Sequence, residues 1–408
     1  MDNHIVKTLS SPGKEKRKNQ MPRSTEDHSY IPSWKRLVIV QLFLGYVFVI
    51  TGLFVNLLQL LTACFVWPFN RALYRKINYH LATVIWSQLT FVYQWWSNSD
   101  IDVYIKPEDL AKLRQENSIW LGNHRYEVDW LLGWVITQRL GLAGGSKILG
   151  KKSLRALPII GWCWYFTESI FLRREWNSDK SVLERDMQRL VNDFPSNYNF
   201  TLFLSCEGTR YTNEKRLESM KVAREKGLPE LQHHILPRTK GFALLMKGLH
   251  KNITAVYDIT VAFQTPKSPE LSNMLVGERC QAESFIRRIP ISEIPHDDEK
   301  KSAEFIHKLF QEKDKTFEYF VQHGTFAGAG NPKATNLPRR KQDLIIELLC
   351  LIFIGLPSTY FLAKFLISAT ILLQLSFLLI VIAGVIGVRL MLKTASRPKL
   401  PSNSNKQD

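Results

Sequence analysis

Acidic residues are scarce in this 408-residue chain: 37 Asp and Glu stand against 54 Lys and Arg, giving a formal charge of +17. Cysteine is scarcer still. The five, Cys64, Cys163, Cys206, Cys280 and Cys350, are odd in number, scattered and never spaced as CxxC, which excludes a disulfide framework and a zinc site. No GxSxG occurs, so the nucleophile elbow expected of a lipase or thioesterase is missing. There is no internal repeat, and low complexity is confined to the polar tails. Residues 1–36 carry Lys14, Lys16, Arg17 and Lys18 with no apolar run among them, so no cleavable signal peptide is expected there. A mean hydropathy of −0.13 with 45% hydrophobic residues excludes both a disordered chain and a many-span transporter.

Charge is wholly absent from the 33 residues 37–69, and residues 344–392 hold only Glu347, Lys364 and Arg389. A bilayer core of ~30 Å takes ~20 apolar helical residues. One straight helix over residues 37–69 would reach roughly 50 Å, which predicts a strong tilt, a break near Gly52 or Asn56, or a re-entrant hairpin. Residues 77–96 mix Trp86, Trp95 and Trp96 with Asn78, Gln88 and Gln94, which reads as an interfacial helix first and as a buried soluble helix second. Residues 344–393 have room for two spans parted around 363–368, with Lys364 reaching an interface, and so predict a C-terminal transmembrane helical hairpin. Lys35, Arg36, Arg71, Arg75 and Lys76 flank the first segment; Arg339, Arg340, Lys341, Lys393, Arg397 and Lys399 flank the C-terminal pair. Every flank is positive, as expected of segments that leave the cytoplasmic side and return to it. On that reading the sequons at Asn199 and Asn252 stay unglycosylated.

The chain therefore divides into a basic polar tail (1–36), N-terminal membrane helices (37–96), a soluble domain (97–330), a basic linker (331–343), the hairpin (344–393) and a polar tail (394–408). Within the domain, β-type apolar runs at 118–121, 169–172, 200–205 and 255–263 alternate with helical patterns at 128–139, 178–194, 241–249 and 303–320. That alternation is an α/β pattern.

Chemistry belongs where such strands end. The first run leads into Gly122-Asn123-His124-Arg125-Tyr126-Glu127-Val128-Asp129. A histidine just past a strand, with an aspartate five residues on, supplies a general base and the carboxylate that holds its tautomer. Positions five apart diverge by about 140° on a helix, so His124 belongs in the turn before a helix that carries Asp129. A second strand end, Thr201-Leu202-Phe203-Leu204-Ser205, enters Cys206-Glu207-Gly208-Thr209-Arg210, which gathers backbone N–H groups, a hydroxyl and a guanidinium as phosphate binding requires. Cys206 has no nearby cationic residue in sequence except Arg210 to make its thiol a nucleophile, and reads as a small strand-end residue.

With these two motifs the chain resembles the glycerolipid acyltransferases, which carry NHxxxxD and EGTR. The likeness extends through Pro158-Ile159-Ile160-Gly161-Trp162, Trp164-Tyr165-Phe166, Ile170-Phe171-Leu172-Arg173-Arg174, Leu236-Pro237-Arg238-Thr239-Lys240-Gly241-Phe242 and Val256-Tyr257-Asp258. It looks like the gamma/delta/epsilon branch of the 1-acyl-sn-glycerol-3-phosphate acyltransferases. The resemblance implies an α/β acyltransferase domain between membrane helices, with acyl-CoA as co-substrate and neither cofactor nor metal. It further implies that His124 deprotonates the sn-2 hydroxyl of a lysophospholipid, that Asp129 stabilises the imidazolium, and that Arg210 and Arg174 pair with the glycerol phosphate. Glu207, Gly208 and Thr209 would shape that binding loop, and Lys147, Lys151 and Lys152 could assist with phosphate or CoA. Glu168 departs from the family, many of whose members have glycine there. Trp162, Trp164 and Tyr165 would line an acyl groove, anchor an interface or fill the core. The partners implied are lysophospholipid, acyl-CoA and membrane lipids, with no nucleic acid, at the cytosolic face of the endoplasmic reticulum membrane. Lysophosphatidylinositol and monolysocardiolipin acyltransferases share the same motifs, so the head group stays open, as do acyl-chain preference and oligomeric state.

Overall fold

Strands buried at nearly every position must be covered on both faces, and the structure puts such strands, Ser118–Gly122, Thr201–Leu204 and Ala255–Phe263, at the centre of one mixed sheet. The computed structural model describes residues 31–396 apart from 174, 193, 196, 265–268, 329 and 336. Its strands are β1 (Asp100–Tyr104), β2 (Ser118–Gly122), β3 (Ser146–Lys151), β4 (Ile170–Leu172), β5 (Thr201–Leu204), β6 (Ala255–Phe263), β7 (Gln281–Pro290) and β8 (Ala334–Thr335). They run in the order β4-β3-β5-β2-β6-β7-β1-β8. β4, β3, β5, β2 and β6 are mutually parallel, so their C-terminal ends share one edge of the sheet. β7 pairs antiparallel to β6 and parallel to β1, and β8 pairs antiparallel to β1.

The helices are α1 (Val38–Phe65), α2 (Arg71–Phe91), α3 (Pro107–Leu113), α4 (Asp129–Leu140), α5 (Ile160–Phe166), α6 (Trp176–Val191), α7 (Asn213–Glu225), α8 (Thr239–Leu249), α9 (Leu271–Leu275), α10 (Glu299–His323), α11 (Gln342–Cys350), α12 (Leu356–Ser368) and α13 (Ile371–Ser396). One face of the sheet is covered by α2, α4 and α5, whose Trp86, Trp134 and Trp164 stack in series at ring-centroid distances of 4.1 and 5.8 Å. The other face packs against α6, α8 and α10 through Leu183, Met187, Phe242, Leu245 and Phe310.

The apolar segments differ from expectation in instructive ways. α1 is a single 28-residue helix with no break at Gly52 or Asn56. Gly52 is instead a contact point, since a Cβ there would fall 2.4 Å from Ile159 Cγ2 beside α5. Asn56 and Gln59 are buried in the same seam, where Asn56 Nδ2 donates to Gln59 Oε1 at 2.9 Å. A turn through Pro68 leads into α2, and Lys35 Nζ donates to the Trp96 carbonyl at 2.5 Å, so the two ends of this helical hairpin meet. The residues that suggested an interfacial helix at 77–96 are largely inside: Asn78, Trp86, Gln88 and Gln94 are buried, and α2 is a core helix. At the other end Gln342–Ser368 forms one 27-residue apolar helix, joined through a π turn, and the chain parts at Ala369 and Thr370, one residue past the expected 363–368. Its first turn is protein-bound, with the Asp343 carboxylate accepting from Gln94 Nε2 and from Trp95 Nε1. Among the described residues, Val38–Phe65 and Gln342–Ser368 are the helices long and apolar enough to cross a membrane.

Candidate active site

β2 and β5 are neighbours in register, with Leu121 opposite Leu204, so the loops that follow them must meet. His124 stands two residues past β2 and Asp129 is the first residue of α4. The imidazole Nδ1 lies 3.4 Å from Asp129 Oδ2. That is longer than the about 2.6–3.2 Å of a tight catalytic bond, a separation that commonly closes once substrate is bound. The same oxygen accepts the backbone N–H groups of Arg125 at 2.6 Å and Tyr126 at 2.7 Å in the turn that precedes α4. The His124 side chain is 37% exposed and that of Asp129 7%. Solvent and substrate therefore reach the base but not the group that orients it. Burial raises the Asp129 carboxyl above its ordinary value, and the adjoining His124 is the strongest influence opposing that rise. Asn123 pins the loop to β6, donating to Val261 O and accepting from Val261 N at 2.9 Å each.

The second loop is fastened to the first. Glu207 is 2% exposed and its Oε1 accepts the His124 N–H at 3.3 Å, while Tyr211 N donates to His124 O at 2.7 Å. The Glu207 carboxylate thus holds the base in place from inside the fold, and burial raises its pKa to about 8. Gly208 has φ +68°, and a Cβ there would come within 2.7 Å of Arg238 Nε; the position requires glycine on both counts. Thr209 Oγ1 accepts from Lys215 Nζ at 2.6 Å, and Arg210, exposed at the rim, gives its carbonyl to the same lysine at 3.0 Å. Burial pushes the Cys206 thiol far above the range in which a thiolate could act.

Beneath both loops the fully buried Lys313 of α10 ion-pairs with Asp258 at 2.6 Å and donates to Ile259 O at 2.7 Å and Leu121 O at 3.3 Å. Sequence reasoning missed Lys313 and Arg238. Arg238 stood inside a quoted motif, but nothing in the spacing of Lys313 gave it away.

Of the other expected residues, Lys151, Lys152 and Arg173 lie along the same sheet edge, whereas Lys147 and Glu168 sit towards the opposite ends of β3 and β4. Lys151 ends β3 with Lys152 exposed just after it, and Arg173 follows β4; Arg174 lies outside the described residues. Lys147 is buried, donates to Thr167 O, and is lowered to about 8 by burial, which makes it a structural lysine. Glu168 holds φ +60°, a left-handed conformation that glycine would adopt without strain. Its carboxylate forks onto Arg75 of α2 at 2.6 and 3.2 Å. Beyond β3 and β4 a cavity of about 700 Å³ opens between the end of α1, α5 and α6, and neither His124 nor Arg210 lines it. A second, apolar groove of about 510 Å³ runs between α1 and α5, lined by Leu53, Leu57, Leu60, Trp162 and Tyr165. Trp162 and Tyr165 therefore face a groove, while Trp164 is core.

This arrangement belongs to a known class. A family model described as Acyltransferase matches residues 104–264, and one described as Acyltransferase C-terminus matches residues 273–350. The 1-acyl-sn-glycerol-3-phosphate acyltransferase delta of Homo sapiens is 42% identical over 85% of this chain and 89% of its own length, and the gamma enzyme of Homo sapiens 38% over 91% and 97%. The crystal structure of the 1-acyl-sn-glycerophosphate (LPA) acyltransferase PlsC from Thermotoga maritima matches 69% of this chain and 96% of its own at 15% identity, with a TM-score of 0.41. The chain belongs to the 1-acyl-sn-glycerol-3-phosphate acyltransferase family.

Proposed function

We propose that the protein transfers an acyl group from acyl-CoA to the sn-2 hydroxyl of 1-acyl-sn-glycerol-3-phosphate, giving phosphatidic acid and CoA. The observation that carries this reading is the exposed His124, backed by buried Asp129 and fastened to the Glu207 loop, in a chain 42% identical to a relative bearing that name. His124 Nε2 accepts the hydroxyl proton as the oxygen attacks the thioester carbonyl, and Asp129 stabilises the imidazolium through Nδ1–H. The tetrahedral intermediate then expels the CoA sulfur, which recovers the proton from His124. No acyl-enzyme is required. Arg210 and Arg174 take the glycerol phosphate.

Membranes carrying the protein, offered a panel of lysophospholipids and acyl-CoAs, should acylate lysophosphatidic acid fastest. His124→Ala should abolish transfer while expression and membrane insertion persist. Faster turnover of lysophosphatidylinositol or monolysocardiolipin would replace the head group in this reading, and substantial activity without His124 would sink the mechanism.

The protein's place follows from its co-substrate. It is an integral protein of the endoplasmic reticulum membrane, anchored by α1 and by a hairpin of Gln342–Ser368 and α13, with His124 facing the cytosol where acyl-CoA is drawn. Two features support this: the positive flanks at every segment, and the meeting of Lys35 with Trp96, which returns the first hairpin to the side it left. Asn252 sits on an exposed turn and serves as a natural reporter. N-glycanase and protease treatment of intact microsomes should find it unmodified and accessible; a protected, glycosylated domain overturns the orientation.

A further inference from the structure

The cavity beyond β3 and β4 is strongly cationic. Lys152, Arg155, Arg173, Arg185 and Arg189 line it. Its three acids are already engaged: Glu168 with Arg75 at 2.6 Å, Asp186 with Arg185 at 3.0 Å, and Asp179 with the backbone N–H groups of Arg173 at 2.7 Å and Glu175 at 2.9 Å. Lys152, Arg155, Arg173 and Arg189 are exposed and make no ion pair among the described residues. Four unneutralised cations around one concavity make a site for a polyanion rather than a scattered solvated surface.

Size, wall chemistry and position narrow the ligand. About 700 Å³ falls in the ~300–1,000 Å³ range that holds a drug-sized molecule, and exceeds what one glycerol phosphate requires. The walls include Trp67, Tyr165 and Phe171, and the Arg155 guanidinium lies 3.8 Å from the Tyr165 ring centroid, a flat cationic stack of the kind on which a base can lie. Lys152 and Arg173 follow β3 and β4, two and three strands from β2, or about 10 and 14 Å across the sheet from the strand that delivers His124. That gap is roughly the reach of four extended residues, ~14 Å, and so of a pantetheine arm.

We propose that this cavity binds the 3′-phosphoadenosine diphosphate head group of acyl-CoA, its phosphates on Lys152, Arg173 and Arg189 and its adenine against Arg155 and Tyr165, while the arm carries the thioester to His124. This rests on the acyl-CoA reading above and adds where the donor sits. The lysophospholipid, with one phosphate, is left to Arg210 and Arg174.

Adenosine 3′,5′-bisphosphate is the probe, because it carries the adenosine and two of the head group's three phosphates without thiol or acyl chain. Calorimetric titration into the His124→Ala protein, which reads binding independently of turnover, should show a site that Lys152→Gln/Arg189→Gln weakens by about tenfold or more. In the active protein the same pair should raise the acyl-CoA KM by at least about tenfold, with kcat and the lysophosphatidic acid KM within about twofold. An acyl-pantetheine thioester lacking the nucleotide should serve the variant and the parent protein equally, a comparison that a misfolded variant fails. Lys152→Arg/Arg189→Lys, which keeps the charge, should restore most of the donor affinity. Absence of bisphosphate binding to the parent protein overturns the proposal, as does a rise confined to the lysophosphatidic acid KM, which would give the cavity to the acceptor. Absence of any transfer by the parent protein would instead defeat the functional reading.

Discussion

Replacing Glu168 by alanine and, separately, by glycine isolates two opposing contributions at one residue. A non-glycine residue in the left-handed region is strained by ~1–2 kcal/mol, and at φ +60° both glutamate and alanine bear that cost. The carboxylate offsets it. Its fork onto Arg75 has side chains only 4% and 11% exposed, and removing one partner of a buried pair costs ~3–5 kcal/mol. Arg75 keeps the carbonyls of Arg189 and Asn192 as acceptors, which places the loss at the lower end, ~3 kcal/mol. Alanine should suffer that loss in full. Glycine should recover the strain, less the ~0.4–1 kcal/mol by which its looser unfolded chain disfavours folding, and come out about 1 kcal/mol more stable than alanine. At about 2–4 °C per kcal/mol for a domain of this size, Glu168→Ala should melt ~6–12 °C below the parent protein, with Glu168→Gly some 2–4 °C above Glu168→Ala. Thermal unfolding in detergent, followed by near-ultraviolet circular dichroism of the buried tryptophans, measures both. Alanine melting at or above glycine would refute the strain argument, and either variant matching the parent protein would refute the role of the ion pair.

Three further outcomes follow from the site. Asp129→Asn should lose several orders of magnitude in kcat but less than His124→Ala, since an amide still fills the space while holding the wrong tautomer; equal losses in single-turnover assays would make the two residues one indivisible unit. Arg210→Ala should raise the lysophosphatidic acid KM by about 10- to 100-fold, for a charged hydrogen bond worth ~1.5–3 kcal/mol, and an unchanged KM would remove Arg210 from the phosphate site. Glu207 is raised to about 8 by burial, so the folded protein holds this proton through a pH window, from its ordinary carboxylate value to about 8, in which the unfolded chain releases it. Its contribution to stability is therefore present at low pH and lost as pH rises towards 8. Melting temperatures measured between pH 5 and 9 should fall less for Glu207→Gln than for the parent protein, and parallel curves would show that Glu207 is ionised throughout.

What the sequence made legible was whatever burial writes uniformly. β6 is apolar or buried at all nine positions and was read at its true ends, 255–263. β2, β4 and β5, together with α4, α6, α8 and α10, were placed within a few residues. β7 escaped because Glu283 and the adjacent Arg287 and Arg288 interrupt its apolar residues without a period of two, and its charges are paid for by partners far along the chain, Glu283 by the Phe326 N–H and Arg288 by Glu116. β3 escaped because a buried lysine, Lys147, occupies its second position. At the site, His124 in a turn and Asp129 on the helix behind it followed from helix geometry. The inward use of Glu207 did not, since a carboxylate beside Gly-Thr-Arg reads as a ligand group until the His124 N–H is seen beside it. Residues 77–96 were misjudged for a related reason: tryptophan among amides describes an interfacial helix and a tightly packed one equally well, and only the Trp86–Trp134 stack distinguishes them.

That packing bears on how the protein is made. α2 leaves the ribosome before any strand of the sheet, by which time α1, uncharged and mostly apolar, has already emerged. On the membrane placement proposed above, the sheet's covering layer is fixed at the membrane before the sheet exists, and the rest of the domain assembles upon it as synthesis proceeds. The catalytic unit consequently begins at Arg71, not at residue 97. A shortened protein that starts at residue 97 would lose Ala82, Ile85, Trp86 and Tyr93, all fully buried, and should emerge aggregated, whereas one that keeps α2 and renders the outer face of α1 polar has a complete core to fold around. On that placement tethering is part of how the domain folds, and the protein is born beside the lipids it is proposed to modify.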